Sequence, residues 1–181
     1  MRRTCFYILF SGILALCLGS CGGNSPYTPR PTAAKEFIWG QIEDYGCHYD
    51  SIPLRVFSVD LYSDGLGLDS TGYMHGTGTN LYFSDVFTAP EDTMLGAGRY
   101  RASSKAQAGT FLPGMSFEGN YTGAYLLVVE ESALSSITLL TDSVFDVTYT
   151  GDTLEMTFTL RQANGWMYKG HYKGVPQVKR H

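Results

Sequence analysis

The sequence predicts an all-β fold: an antiparallel β-sandwich, or in the alternative a β-barrel, of about ten short strands with no substantial helix. Three observations carry this. From Glu36 onward apolar residues alternate with polar ones, the period of a half-buried strand rather than the three-to-four spacing of a helix. The chain holds 21 glycines, 13 tyrosines and 10 phenylalanines, and aromatic side chains suit a pleated, half-buried surface. Turn-forming Gly, Asp, Asn and Pro separate the alternating runs, as in sandwiches and barrels.

In chain order the expected strands are 36–44, 54–62, 79–88, 98–103, 110–117, 121–130, 136–141, 143–150, 153–162 and 166–173. Two hairpins follow residue by residue. A two-residue loop at Gly151-Asp152 pairs Tyr149 with Leu154, Val147 with Met156 and Phe145 with Phe158, so that all six share one face. At Asn164-Gly165 a two-residue loop would set Leu160 against Lys169. A three-residue loop, Ala163 to Gly165 with Gly165 left-handed, pairs Leu160 with Tyr168 and keeps Trp166, Tyr168 and Tyr172 with the apolar residues. Three residues is the expected length. Residues 64–78 carry five glycines and are expected to form a long loop.

The amino terminus has the three parts of a secretory signal: Arg2 and Arg3, an apolar run from Phe6 to Leu18, and small residues before Cys21. The run is shorter than the roughly 20 apolar residues of a membrane span. Leu18-Gly19-Ser20-Cys21 resembles the lipobox cut by lipoprotein signal peptidase. The resemblance implies removal of residues 1–20 and lipidation of Cys21. The expected organisation is signal 1–20, lipidated cysteine and flexible Gly/Pro/Ser-rich tether 21–35, one β-domain 36–175, and a disordered basic tail 176–181. Only Cys47 remains within the domain, so no internal disulfide is available. It is expected to be buried and inert, since a free cysteine packs as a small hydrophobe; a reactive thiol beside His48 is the sharper alternative.

Residues 1–20 contain two of the thirteen basic residues and no acidic one, leaving −6 on residues 21–181. That sign excludes nucleic acid, which needs a basic footprint. Membrane attachment then rests on the acyl chains rather than on charge.

Gly76-Thr77-Gly78, Val86-Phe87-Thr88, Gly98-Arg99-Tyr100, Gly109-Thr110, Pro113-Gly114 and the stretch from Tyr168 to Gly174 make residues 72–174 similar to a module in small secreted lipoproteins of Bacteroidetes. The resemblance implies an all-β fold and an envelope role, and it transfers no catalytic residue. Five of the ten aspartates precede Ser or Thr in a pattern resembling the O-glycosylation sequon of exported Bacteroidetes proteins. The implied acceptors are Ser51, Ser70, Thr93, Ser143 and Thr153. Asp-Ser and Asp-Thr are also plain turn formers.

No nucleophile elbow, phosphate loop or zinc helix is present. Asp64 to Asp69 resembles one calcium-binding nonapeptide, but that chemistry needs stacked copies. His48, His75 and His171 lie far apart in sequence, so no metal site or cofactor is expected. Trp39, Trp166 and the tyrosines serve either as core or as a platform for sugar rings, with Trp166 and Tyr168 the candidate platform.

The resulting expectation is a non-enzymatic, lipid-anchored binding or structural module of the cell envelope, on the outer membrane. Gly22 to Ser25 lack the acidic cluster associated with surface export, which favours the periplasmic face. Its partners would be the membrane, through the lipid, and a glycan or envelope protein. Two alternatives stay open: a glycan hydrolase or lyase with converging carboxylates, and a fimbrillin-like pilus subunit.

Overall fold

A computed structural model describes residues 31–181, with side chains described from Ala34 onward. The expected signal, the lipobox-like segment with Cys21 and most of the expected tether lie outside the described residues. Within them the fold is all-β, without helix.

Strands β1 (Pro31–Phe37) and β2 (Trp39–Asp44) are almost one strand, separated by Ile38. β3 (Arg55–Tyr62) returns antiparallel to β2. A small hairpin follows, β4 (Leu66–Leu68) with β5 (Met74–Gly76), and then the longest strand, β6 (Gly78–Thr88). β7 (Gly98–Ala102) and β8 (Thr110–Phe111) continue the sheet. A protruding hairpin of β9 (Met115–Phe117) and β10 (Asn120–Thr122) precedes β11 (Ala124–Glu130). The remainder is β12 (Ala133–Leu139), β13 (Val144–Thr150), β14 (Thr153–Arg161), β15 (Met167–Gly174) and β16 (Gln177–Arg180).

The main sheet runs β1-β15-β14-β13-β7-β8-β6-β3-β2-β16. Its two ends are the same two chain segments, because β1 leads into β2 and β15 leads into β16. The sheet therefore curls until its ends meet, and the seam is parallel: Phe37 lies opposite Tyr172 and Gln41 opposite Gln177. Of the two expected architectures, the curled sheet takes the barrel-like one. Its interior holds Phe83, Phe111, Phe145 and Phe158, all buried, with Phe83 ring centroids 4.9 Å from both Phe111 and Phe145. Edge-on and tilted pairs at such distances add to the apolar area they bury.

Both hairpins have the expected registers. Tyr149, Val147 and Phe145 face Leu154, Met156 and Phe158. Leu160 faces Tyr168 and Phe158 faces Gly170, with Gly165 at φ +84°.

Several boundaries differ from expectation. Strand 36–44 breaks at Ile38 because the chain changes neighbours there, from β15 to β3. β1 starts at Pro31, inside the expected tether, because pairing to the edge of β15 uses main-chain groups and needs no apolar side chains. The tail expected to be disordered is strand β16 instead. It pairs with β2, and Lys179, Arg180 and His181 lie 3.6, 3.9 and 3.4 Å from carboxylates of Glu43, Asp44 and Glu43. Opposite charge draws in a segment whose composition alone reads as solvated. Residues 64–78 form the β4–β5 hairpin rather than a loop. Asp69 caps its turn, accepting the N–H groups of Thr71 at 2.8 Å and Tyr73 at 3.0 Å.

Candidate functional site

The alternation in β3 sends Phe57, Val59 and Leu61 into the barrel and Ser58, Asp60 and Tyr62 outward. The same parity on the neighbouring strands lines up an outward row of Gln41, Asp60, Tyr82 and Tyr125 across β2, β3, β6 and β11. A second row holds Trp39, Tyr62 and Asn80. On most barrels this face would be solvated. Here the β4–β5 hairpin covers part of it, and Tyr62, Leu66 and Val129 form a small second core with Trp39, Leu68 and Met74 packed against it.

Between that hairpin and β16 lies a cleft of about 620 Å³, lined by Trp39 and Gln41, by the hairpin turn from Gly67 to Gly72, and by Gln177 and Lys179. Trp39 is held from behind. Its ring stacks on Tyr62 at 3.8 Å with the planes 4° apart, and its indole N–H donates to the Leu66 carbonyl at 2.9 Å. The Tyr62 hydroxyl donates to Asp60, as does the Asn80 amide. Burial pushes the Asp60 carboxyl up to about 6, against the pull of those two donors. A carboxylate so perturbed on the outside of a barrel marks a covered, functional-looking surface rather than an ordinary solvated one.

Glu43, next along β2, is set the other way. Burial opposes it, but the Tyr45 hydroxyl, Lys179 and His181 together hold its carboxyl below the ordinary range. Glu43 faces Ser58, so Asp60 is its diagonal neighbour, at the roughly 7–8 Å typical of such pairs. Two carboxylates near one another on one face invite the test of an acid–base pair. The hydrogen bonding fails that test. One Glu43 oxygen takes the Gln41 amide at 2.6 Å and lies 3.6 Å from Lys179; the other takes the Tyr45 hydroxyl and lies 3.4 Å from His181. Both Asp60 oxygens are likewise occupied. Neither carboxylate lines the cleft, and Glu43 instead holds the amide of Gln41, which does.

The residues expected from sequence are scattered. Cys21 lies outside the described residues. Ser51, Ser70 and Thr93 are exposed and Thr153 is half-buried. Ser143 is buried and its Oγ accepts the Arg161 N–H at 2.9 Å, so a glycan there is incompatible with the folded chain. Cys47, expected in the core, is exposed. It sits in the β2–β3 loop just after Gly46, whose φ of +63° carries the chain away from the sheet. Trp166 and Tyr168 make no flat platform. Tyr168 packs against the core and accepts the Gln162 amide at 2.7 Å, while Trp166 stands off the end of the sheet, 49% exposed. Of the aromatic set, Trp39 is the one that lines the cleft. Gln41, Glu43, Asp60 and Asn80 were not singled out by sequence. The polar face of β3 is legible in its alternation, but its cover is a tertiary feature. Among the described residues no group of three or more His, Cys, Asp or Glu is placed to hold a metal.

No family model matches this chain, and neither a curated protein nor a solved structure is significantly similar to it.

Proposed function

We propose that the protein is a lipid-anchored module of the cell envelope that binds an uncharged stretch of glycan in the cleft between the β4–β5 hairpin and β16. The carrying observation is an aromatic side chain, Trp39, fixed by stacking and a hydrogen bond at the wall of an otherwise polar cleft. Sugars present an apolar ring face and a fringe of hydroxyls. Trp39 offers an apolar ring face, and Gln177 and Ser70 offer an amide and a hydroxyl. The one cation of the lining, Lys179, is paired with Glu43 at 3.6 Å, which disfavours an acidic ligand. The occupied oxygens of Glu43 and Asp60 favour binding over hydrolysis. The lipobox at Cys21 supports the anchor, and the reading seats the protein on the periplasmic face of the outer membrane.

The test has two arms. Wild-type protein is screened on immobilised envelope polysaccharide fragments, and the affinity of any ligand found is measured again with Ser70→Ala and Gln177→Ala, both at exposed positions. Binding should fall about tenfold for each, the worth of one or two hydrogen bonds, with thermal stability unchanged. No retained glycan, or equal affinity in both variants, refutes the glycan reading. Separately, Cys21→Ser should move the protein from the membrane to the soluble fraction; sedimentation that survives a salt wash refutes the anchor.

A further inference from the structure

The β9–β10 hairpin is exposed at every residue, yet it carries Met115 at 48%, Phe117 at 73% and Tyr121 at 45% exposure. Its turn, Glu118-Gly119, has positive φ at both positions, the tight geometry favoured in two-residue hairpins. Its stem is pinned. The Gly114 N–H donates to the Leu140 carbonyl at 2.8 Å and the Gly123 N–H to Ser84 Oγ at 2.9 Å. A Cβ on Gly123 would come within 2.0 Å of the Pro113 carbonyl oxygen, so the stem admits no side chain there. A firmly held hairpin thus presents apolar side chains to solvent, an arrangement that normally has an occupant.

Leu140 also bridges to Gln162, which is paired with Trp166 through the Trp166 carbonyl at 2.9 Å. The hairpin stem and Trp166 therefore flank Leu140 on its two sides, with Gly114 and Gln162 roughly 10 Å apart by strand spacing. The chain arriving from Cys21 enters at the same end. Pro31 lies opposite Met167, the residue after Trp166. Ten residue steps separate Cys21 from Pro31, at most about 35 Å of chain, against a domain diameter of about 40 Å for its length. That reach keeps Pro31, and with it the Trp166 end, within about 35 Å of a lipidated Cys21. Met94, Val175 and Val178, also exposed, lie together beyond the end of β15 opposite to Met167.

We infer that Trp166 together with Met115 and Phe117, which share one face of the β9–β10 ribbon, forms a face that docks on the lipid surface to which the protein is tethered, immersing these side chains at headgroup depth. The inference rests on the lipid-anchored reading. It commits to a neutral lipid interface, since a chain of charge −6 after residue 20 gains nothing from anionic lipid, and aromatic rings with polar edges favour that boundary. Docking would hold the barrel in one orientation, where a tether alone leaves it free to tumble.

The chain has two tryptophans, which makes the test direct. Lipidated full-length protein carrying Trp39→Phe, leaving Trp166 as sole reporter, is reconstituted into phosphatidylcholine vesicles with and without brominated acyl chains. Flotation reads the anchor; fluorescence reads the face. The expected result is flotation, a blue-shifted Trp166 emission, strong quenching by brominated lipid, and acrylamide quenching reduced by about twofold or more, as immersion by ~5–10 Å requires. Phe117→Ser should weaken the bromolipid quenching with an unchanged far-UV spectrum. Flotation without bromolipid quenching overturns the docking face and leaves the anchor standing. Failure to float overturns the anchor and the docking with it. Quenching unaffected by Phe117→Ser removes the hairpin from the face and overturns the proposal in this form.

Discussion

Arg55 grips Asp44 with two parallel hydrogen bonds, from Nε at 2.8 Å to one carboxylate oxygen and from Nη2 at 2.7 Å to the other. Asp44 is 2% exposed and Arg55 23%. The Gly46 N–H adds a third bond at 3.0 Å, and Arg180 approaches to 3.9 Å. This cluster ties the start of β3 to the end of β2 and draws in the last strand, β16, at the parallel seam where the barrel closes.

Asp44→Ala removes the bonds from Arg55 and Gly46 and leaves Arg55, which is part-exposed, to water, so it should cost about 2 kcal/mol in urea unfolding at pH 7. Arg55→Lys should recover only part of the wild-type stability, because an ammonium cannot make the two-pronged contact. The pH dependence has a fixed sign. Burial opposes ionisation of Asp44, but the Arg55 hydrogen bonds win and hold its carboxyl below the ordinary range. Its stabilisation is present above the unfolded aspartate value and is lost as pH falls through the folded one. The gap between wild type and Asp44→Ala should narrow towards pH 3.

Asp60 behaves in the opposite sense. Its folded value, about 6, lies above that of an unfolded aspartate, so its ionisation weakens the fold as pH rises from about 4 to 7. Asp60→Asn removes that ionisation, and the Tyr62 hydroxyl can turn to accept the new amide. The shift corresponds to about 3 kcal/mol, and the solvent contact Asp60 retains trims this to about 2. Asp60→Asn should therefore gain on wild type by about that amount between pH 4 and pH 7. Equal slopes for the two proteins across this window would refute it.

At the β14–β15 turn, Gly165 sits at φ +84°. Gly165→Val should destabilise by more than about 1 kcal/mol, since a β-branched residue is strained there. Leu160→Ala, inside the barrel, should cost about 3 kcal/mol. Trp166→Ala, at a half-exposed position, should cost under ~1 kcal/mol. Thermal or urea melts of the three variants test the order. A Trp166→Ala loss as large as that of Leu160→Ala would mean that the indole is part of the core.

For modification, mass spectrometry of protein from its native host should find glycan on one or more of Ser51, Ser70 and Thr93, which are exposed. It should find none on Ser143, whose hydroxyl is buried against Arg161. Full coverage of the exposed sites with only unmodified masses refutes the sequon reading, and a glycan on Ser143 would require that it be added before folding.

Alternation, turn residues and aromatic content determine the strands, both C-terminal hairpin registers and the side of each strand that faces the core. These are local properties: a period of two leaves little freedom once Phe145, Val147, Met156 and Phe158 must share a face, and Gly151 and Gly165 set the loop lengths. The resemblance of Leu18 to Cys21 to a lipobox is equally local. What the tertiary structure alone decided is everything that depends on residues far apart in sequence. Pro31 to Lys35 and Gln177 to Arg180 look solvated in composition, yet they pair at the seam of the barrel because each meets an open strand edge, and the second also meets Glu43 and Asp44. Asp60 looks like any polar outward residue of a strand until Tyr62 and Asn80 close on it and burial raises its carboxyl. Cys47 reads as a small core hydrophobe until Gly46 turns the chain outward. A one-dimensional pattern records which face a side chain points to; whether that face is covered depends on what the rest of the chain brings to it.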